Sequence, residues 1–131
     1  MPHPEPSWSN KFTVAFSGLA TAFRTQSSLR FHVIITVCVV SLMMWLRISL
    51  SHAALLLAMI GLVITTELLN TSIEWLVAKL HPEWDPKIGD ALDVAAAAVL
   101  IAAITAVAVG LLILGPPLWT VIESMVSKSG R

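Results

Sequence analysis

The residues with most to offer chemically lie in one short run, Glu67-Leu68-Leu69-Asn70-Thr71-Ser72-Ile73-Glu74. Glu67, Asn70, Thr71 and Glu74 stand at helical offsets of zero, three, four and seven. A helix through them presents a carboxylate, an amide, a hydroxyl and a second carboxylate along one stripe. The run sits inside a long apolar stretch, where an unpaired charge costs about 2.5–3.5 kcal/mol on the insertion scale. Two carboxylates on one stripe therefore need a compensating partner. One reading is structural: Glu67 and Asn70 make interhelical hydrogen bonds, and Glu74 is wet beyond the membrane edge. The other is chemical: the carboxylates gather a divalent cation and a phosphorylated substrate. Two turns of helix separate the glutamates by about 10 Å, too far to chelate one ion together. On this reading Glu74 holds the metal with help from another helix, while Glu67, deeper in the membrane, acts as base toward a lipid hydroxyl.

The elements that must position this stripe are helices in a bilayer. Of 131 residues, 56% are apolar and only 12% charged, with a mean hydropathy of +0.84. A soluble domain this short cannot hide so much apolar surface, so lipid must cover part of it. A formal net charge of zero argues against a nucleic-acid binder, which needs a basic face. The single cysteine, Cys38, lies in an apolar run and reads as a packing residue. No secretory signal peptide is expected, because the first long apolar run follows about thirty residues of mixed polarity without a cleavage pattern.

The pattern predicts an all-α integral membrane protein with an amphipathic surface helix and three spans. Residues 1–9 read as a mobile tail, 10–120 as one membrane-embedded domain and 121–131 as a C-terminal tail. Phe12, Phe16, Leu19 and Phe23 share one face of a helix over 10–25, capped by Ser9 or Asn10. Thr25 to Ser28 breaks it, and Ser27 or Ser28 caps the next helix. The spans are expected over 30–47, 53–80 and 92–114, the last stopped by Gly115-Pro116-Pro117. Ala95 to Ala98, with Ala102, Ala103 and Ala106, gives the third span a slim face for close approach. Lys11, Arg24, Arg30, Lys79 and Lys87 fall on one side of the membrane, and Arg47, Lys128 and Arg131 on the other. This excess favours a cytoplasmic N-terminus. Trp45 and Trp119 mark one interface, Trp75 and Trp84 the other.

Asp93 opens the third span and reads either as a complement to the helix dipole or as a site residue. His32 reads as a snorkelling interfacial histidine, and His52 and His81 as loop residues. None of the six glycines belongs to a phosphate-cradling GxxxxGK loop. ATP, if bound, is held through metal, carboxylates and scattered cations.

The segment resembles the signature of the small prokaryotic diacylglycerol kinase family, whose Gram-positive members phosphorylate undecaprenol. That signature, E-x-x-N-[ST]-x-[IL]-E on the second span, is matched by Glu67, Asn70, Thr71, Ile73 and Glu74. Asp93 and the small-residue run after it, together with Ala15-Phe16-x-Gly18 and His32, extend the resemblance over about residues 11–109. The resemblance implies a homotrimer with sites shared between subunits, in which Mg-ATP phosphorylates a lipid hydroxyl in the bacterial inner membrane. It implies Glu67 as catalytic base, Glu74 as metal ligand, and Asn70 and Asp93 as site-shaping residues. Three positions depart from the family pattern. Gln26 stands where a metal-binding glutamate is usual and would ligate Mg²⁺ through its amide oxygen. Ala78 replaces an aspartate, and Leu92 replaces the lysine that partners phosphate. Lys11, Lys79 or Lys87 would then supply the missing cation. These departures define the alternative: a catalytically impaired homologue that binds lipid or a partner protein. A third class, a transporter or channel subunit, lacks acidic residues continuing across the bilayer.

Overall fold

The structure, a computed structural model, describes residues 7–83 and 85–129. Most of the expected N-terminal tail, Trp84 of the predicted aromatic belt, and residues 130–131 lie outside the described residues. Four helices follow one another: α1 (Trp8–Thr25), α2 (Ser27–Trp45), α3 (Leu50–Leu80) and α4 (Pro86–Ser129). The last three are long and apolar enough to cross a membrane. The all-α membrane architecture expected from the sequence is thus present: a leading helix and three spans.

The cap of α1 is Ser7, not Ser9 or Asn10. The Ser7 hydroxyl accepts from the Asn10 backbone N–H at 3.4 Å, and Ser9 and Asn10 already lie in the first turn. The aromatic face of α1 is left open, with Phe12 and Phe16 each more than half exposed, as a helix resting on lipid requires. The break before α2 is a single residue. Gln26 is extended (φ −103°, ψ 118°). Its N–H donates to the Ala22 carbonyl at 2.8 Å, and its own carbonyl accepts from Arg30 at 3.4 Å. Neither Ser27 nor Ser28 caps α2. Across this kink the Arg30 guanidinium donates to the Arg24 carbonyl at 3.1 Å.

A tight turn joins α2 to α3. Arg47 adopts a left-handed backbone (φ 52°), and the Ile48 N–H donates back to the Met43 carbonyl at 3.1 Å. This six-to-one bond ends the helix as a Schellman motif does, with arginine at the position glycine usually holds. His52, expected in a loop, lies inside the first turn of α3 and bonds Ser49 at 3.1 Å.

The core is made mainly by α3 against α4. On α3 the inward residues are Ala53, Leu56, Ile60, Val63, Glu67 and Asn70; on α4 they are Leu92, Ala95, Val99, Ala102, Ala106 and Val109. Both series alternate steps of three and four, the 3.5-residue recurrence of a left-handed helix pair. Ala95, Ala102 and Ala106 on the facing stripe let the backbones approach. At the far end Met43, Leu56 and Leu114 form the buried cluster that joins α2 to this pair. Cys38, read as a packing residue, faces outward.

The largest departure from expectation is the end of α4. Gly115-Pro116-Pro117 does not stop the helix, which runs on to Ser129. Gly115 keeps a negative φ, so the left-handed cap that would have ended the helix never forms. The prolines remove two N–H donors, but turning the chain out of its helix there would strand still more backbone groups near lipid. The helix also begins earlier than predicted. Asp85 accepts from the Lys87 N–H at 2.8 Å, and Pro86 takes the first helical position, where its missing N–H costs nothing.

Because Ala102 is only 4% exposed, Ala102→Leu should force α3 and α4 apart at a cost of about 1–3 kcal/mol. Leu112→Ala, on the outward face, should stay within about 0.5 kcal/mol. Unfolding of the two variants in mixed micelles measures the difference.

Candidate active site at the carboxylate stripe of α3

The helix geometry places Glu67, Asn70, Thr71 and Glu74 on one stripe, and packing then separates their environments. Glu67, Asn70 and Thr71 are buried at 5%, 9% and 3% exposure, whereas Glu74, one turn beyond Asn70, is exposed. The buried carboxylate is not left alone. The Ser28 hydroxyl donates to Glu67 Oε1, reaching it from the start of α2, immediately after the Gln26 kink. Among the described residues, Ser28 is the partner that Glu67 has. One turn along, the Asn70 side-chain N–H donates to Glu74 Oε1 at 2.7 Å. This holds the exposed carboxylate against α3 and turns the other end of the amide inward. Asn70 Oδ1 is buried without a hydrogen-bond partner among the described residues, a condition that costs about 1–3 kcal/mol unless something else fills it.

Ser28 is the contact to the stripe that sequence reasoning missed. It was visible only as a possible helix cap. The signal that could have found it is the demand of Glu67 itself: a carboxylate in lipid needs a donor, and the hydroxyls nearest the start of α2 are candidates.

The other predicted site residues are not gathered by a single chain. Gln26 is half-buried two residues from Ser28, at the kink that faces the stripe. Lys11 is exposed near the start of α1, with its ammonium group 4.8 Å from the centre of the Trp8 ring. Lys79 and Lys87 are exposed at the end of α3 and the start of α4. Asp93 does not open α4, as expected, but lies two turns inside it and is exposed. Antiparallel packing from the Leu56–Leu114 contact puts Asp93 about level with Val77, a turn beyond Glu74. Leu92 beside it is half-buried. Among the described residues no group of three or more His, Cys, Asp or Glu side chains could hold a metal ion. His32, expected at the interface, is half-buried on α2 and lines an apolar cleft of about 480 Å³ between α2, α3 and α4. A second apolar cleft, of about 360 Å³, opens under α1 between Phe16, Phe23, Leu29 and Ile64. Ile64 is one turn from Glu67.

These features define a class: a small multi-span membrane protein with an acid–amide stripe on its central span, braced from the kink between surface helix and first span. The chain belongs to the prokaryotic diacylglycerol kinase family, whose family model matches residues 13–114. It is 38% identical over 108 residues to a protein of Synechocystis sp. named diacylglycerol kinase. That match covers 82% of this chain and 62% of the relative, so the chain spans about three fifths of that protein's length. It is 32% identical over 93 residues to the diacylglycerol kinase of Escherichia coli K12, covering 71% of this chain and 76% of the relative.

Removing the donor to a buried carboxylate should cost about 1.5–3 kcal/mol, the range for hydrogen bonds to charged groups. Ser28→Ala is expected to lower the unfolding free energy in micelles by that amount, and Ser28→Thr to restore most of it. Equal stability of Ser28→Ala and the parent would mean that Glu67 finds another donor.

Proposed function

We propose that this protein transfers the terminal phosphoryl group of Mg-ATP to the hydroxyl of a membrane lipid, diacylglycerol or undecaprenol, forming the lipid monophosphate. The observation that supports this most is the buried Glu67 carboxylate, held through one oxygen by Ser28, beside an apolar cleft large enough for part of a lipid. In this reading the acyl or prenyl body lies against Phe16, Phe23, Leu29 and Ile64, and the hydroxyl reaches Glu67. The second Glu67 oxygen, with no partner among the described residues, takes the hydroxyl proton. The lipid oxygen forms its bond to the γ-phosphorus as the bond to the β–γ bridging oxygen breaks and ADP leaves. Glu67 thus supplies the base, and the ordered cleft supplies orientation, which is most of what phosphoryl transfer asks of a protein.

The donors along the stripe suit a magnesium ion. They are hard oxygens, as Mg²⁺ prefers: the exposed Glu74 carboxylate, the Gln26 amide oxygen at the kink, and Asn70 Oδ1, which has no partner among the described residues. When bound, the ion would offset negative charge on the phosphates. The family resemblance implies sites completed by a neighbouring subunit in a homotrimer, and such a subunit would add ligands to these. Asp93, exposed and a turn beyond Glu74, would then shape the nucleotide site, with Lys11, Lys79 or Lys87 supplying positive charge. The need for ATP places the stripe, and the N-terminus with it, on the cytoplasmic side of a bacterial inner membrane.

A second reading is favoured by Leu92. An apolar side chain half-buried beside Asp93 stands where the family resemblance leads one to expect a lysine on phosphate. With that cation lost, the fold would bind lipid or a partner without turning it over.

Phosphate transfer from Mg-ATP to each lipid in mixed micelles separates the readings. Glu67→Gln should lower turnover by about 10²–10⁴-fold, the usual contribution of a general base, while leaving the protein folded. Leu92→Lys should raise turnover if the phosphate clamp is only weakened. A folded protein that turns over neither lipid, and whose melting shifts with neither nucleotide nor Mg²⁺, is the binding protein of the second reading.

A further inference from the structure

Past Gly115-Pro116-Pro117, α4 runs on to Ser129 and outlasts the bundle. Leu114 still belongs to the buried cluster with Met43 and Leu56, and the same antiparallel register puts the α2–α3 turn at Arg47 to Ser49 about level with Val121 to Glu123, so that Leu118 and Val121 are still half-buried. The next twelve residues, about 18 Å of helix, carry Trp119, Ile122, Met125 and Val126 at 63%, 45%, 58% and 68% exposure. At 100° per residue, the six apolar side chains of 118–128 fall in an arc of about 160°. Thr120, Glu123, Ser124, Ser127 and Lys128 take the opposite arc of about 140°. Inside the bilayer an apolar face needs no cover. Outside it this one does, and among the described residues nothing covers Trp119, Ile122, Met125 or Val126.

We propose that residues 118–129 form an interfacial helix lying on the membrane surface opposite the Glu67–Glu74 stripe, bent from the third span at Pro116-Pro117. Four observations select a lipid surface as the occupant. The apolar arc is broad, as a flat interface requires, and wider than the narrow seam of a helix–helix contact. Trp119 sits at the edge of the arc, its indole N–H donating to Glu123 Oε1 at 2.6 Å, the half-wet placement tryptophan favours at interfaces. Lys128, at the other edge, can snorkel toward headgroups, and Arg47 lies at the same end of the bundle, so anionic lipid meets positive charge. Finally, the joint is soft: Pro116 and Pro117 withdraw the donors that the Leu112 and Ile113 carbonyls would otherwise receive, the usual cause of a sharp helix kink.

Nitroxide labels placed singly at positions 119 to 127 of the full chain, in a Cys38→Ser background, test this in phosphatidylethanolamine–phosphatidylglycerol vesicles. Accessibility to oxygen should exceed accessibility to a nickel chelate at Ile122 and Val126, with the ratio reversed at Glu123 and Ser127, giving a 3.6-residue oscillation. High nickel accessibility at every position would overturn the proposal in favour of a helix standing in water. Shielding of Ile122 and Val126 from both reagents would overturn it in favour of packing against a second copy.

Discussion

A bilayer interior offers no water to hydrogen-bond, so every polar group placed there must find its partner in the protein. Helices meet that demand for the backbone, and the fold is accordingly four helices with short joints. The hardest case is Glu67, a carboxylate 5% exposed on a membrane helix. The Ser28 hydroxyl answers it, and in doing so ties the kink between α1 and α2 to the middle of α3. The Arg30-to-Arg24 bond across the same kink holds α1 to α2 from the other side. The kink that orients the surface helix is therefore followed directly by the residue that serves the buried acid. The packing contribution at this junction comes chiefly from Leu29, 1% exposed between Ser28 and Arg30.

The apolar core and the polar stripe sit at different depths. Met43, Leu56 and Leu114 are packed at the turn end of the bundle, about 16 Å along α3 from Glu67. That cluster helps set the register of α3 against α4 beside the cleft of about 480 Å³ that Leu56 and Leu114 also line, while the end that carries the stripe has its own cleft beneath α1. Small residues carry the register between the two ends: Ala95, Ala102 and Ala106 keep α4 close to α3 over the intervening turns.

The charge balance of the stripe is one-sided. Glu67 and Glu74 bring negative charge, Asn70 offers an unfilled oxygen, and Leu92 and Gln26 hold positions where the family resemblance leads one to expect charged groups. Lys11 is engaged by the Trp8 ring. A site so rich in acceptors invites a cation, and the proposed kinase reading supplies one as Mg²⁺. The same imbalance motivates the reading in which the fold is kept for binding.

Hydropathy and spacing determined the number of spans, the amphipathic character of α1 and the stripe on α3, because each depends on periodicity within one segment. The same information could not place Ser28 against Glu67, since 39 residues separate them and only the kink at Gln26 brings them together. It misjudged the end of α4, because glycine and two prolines are local stop signals whose outcome depends on what surrounds them. It also put Asp93 at a helix start that packing and the Asp85 cap moved to Pro86. That Glu67 lies deeper and Glu74 nearer the wet edge follows from their order along the span, but the neighbouring helices, covering one turn of α3 and leaving the next uncovered, decide how fully Glu67 is enclosed.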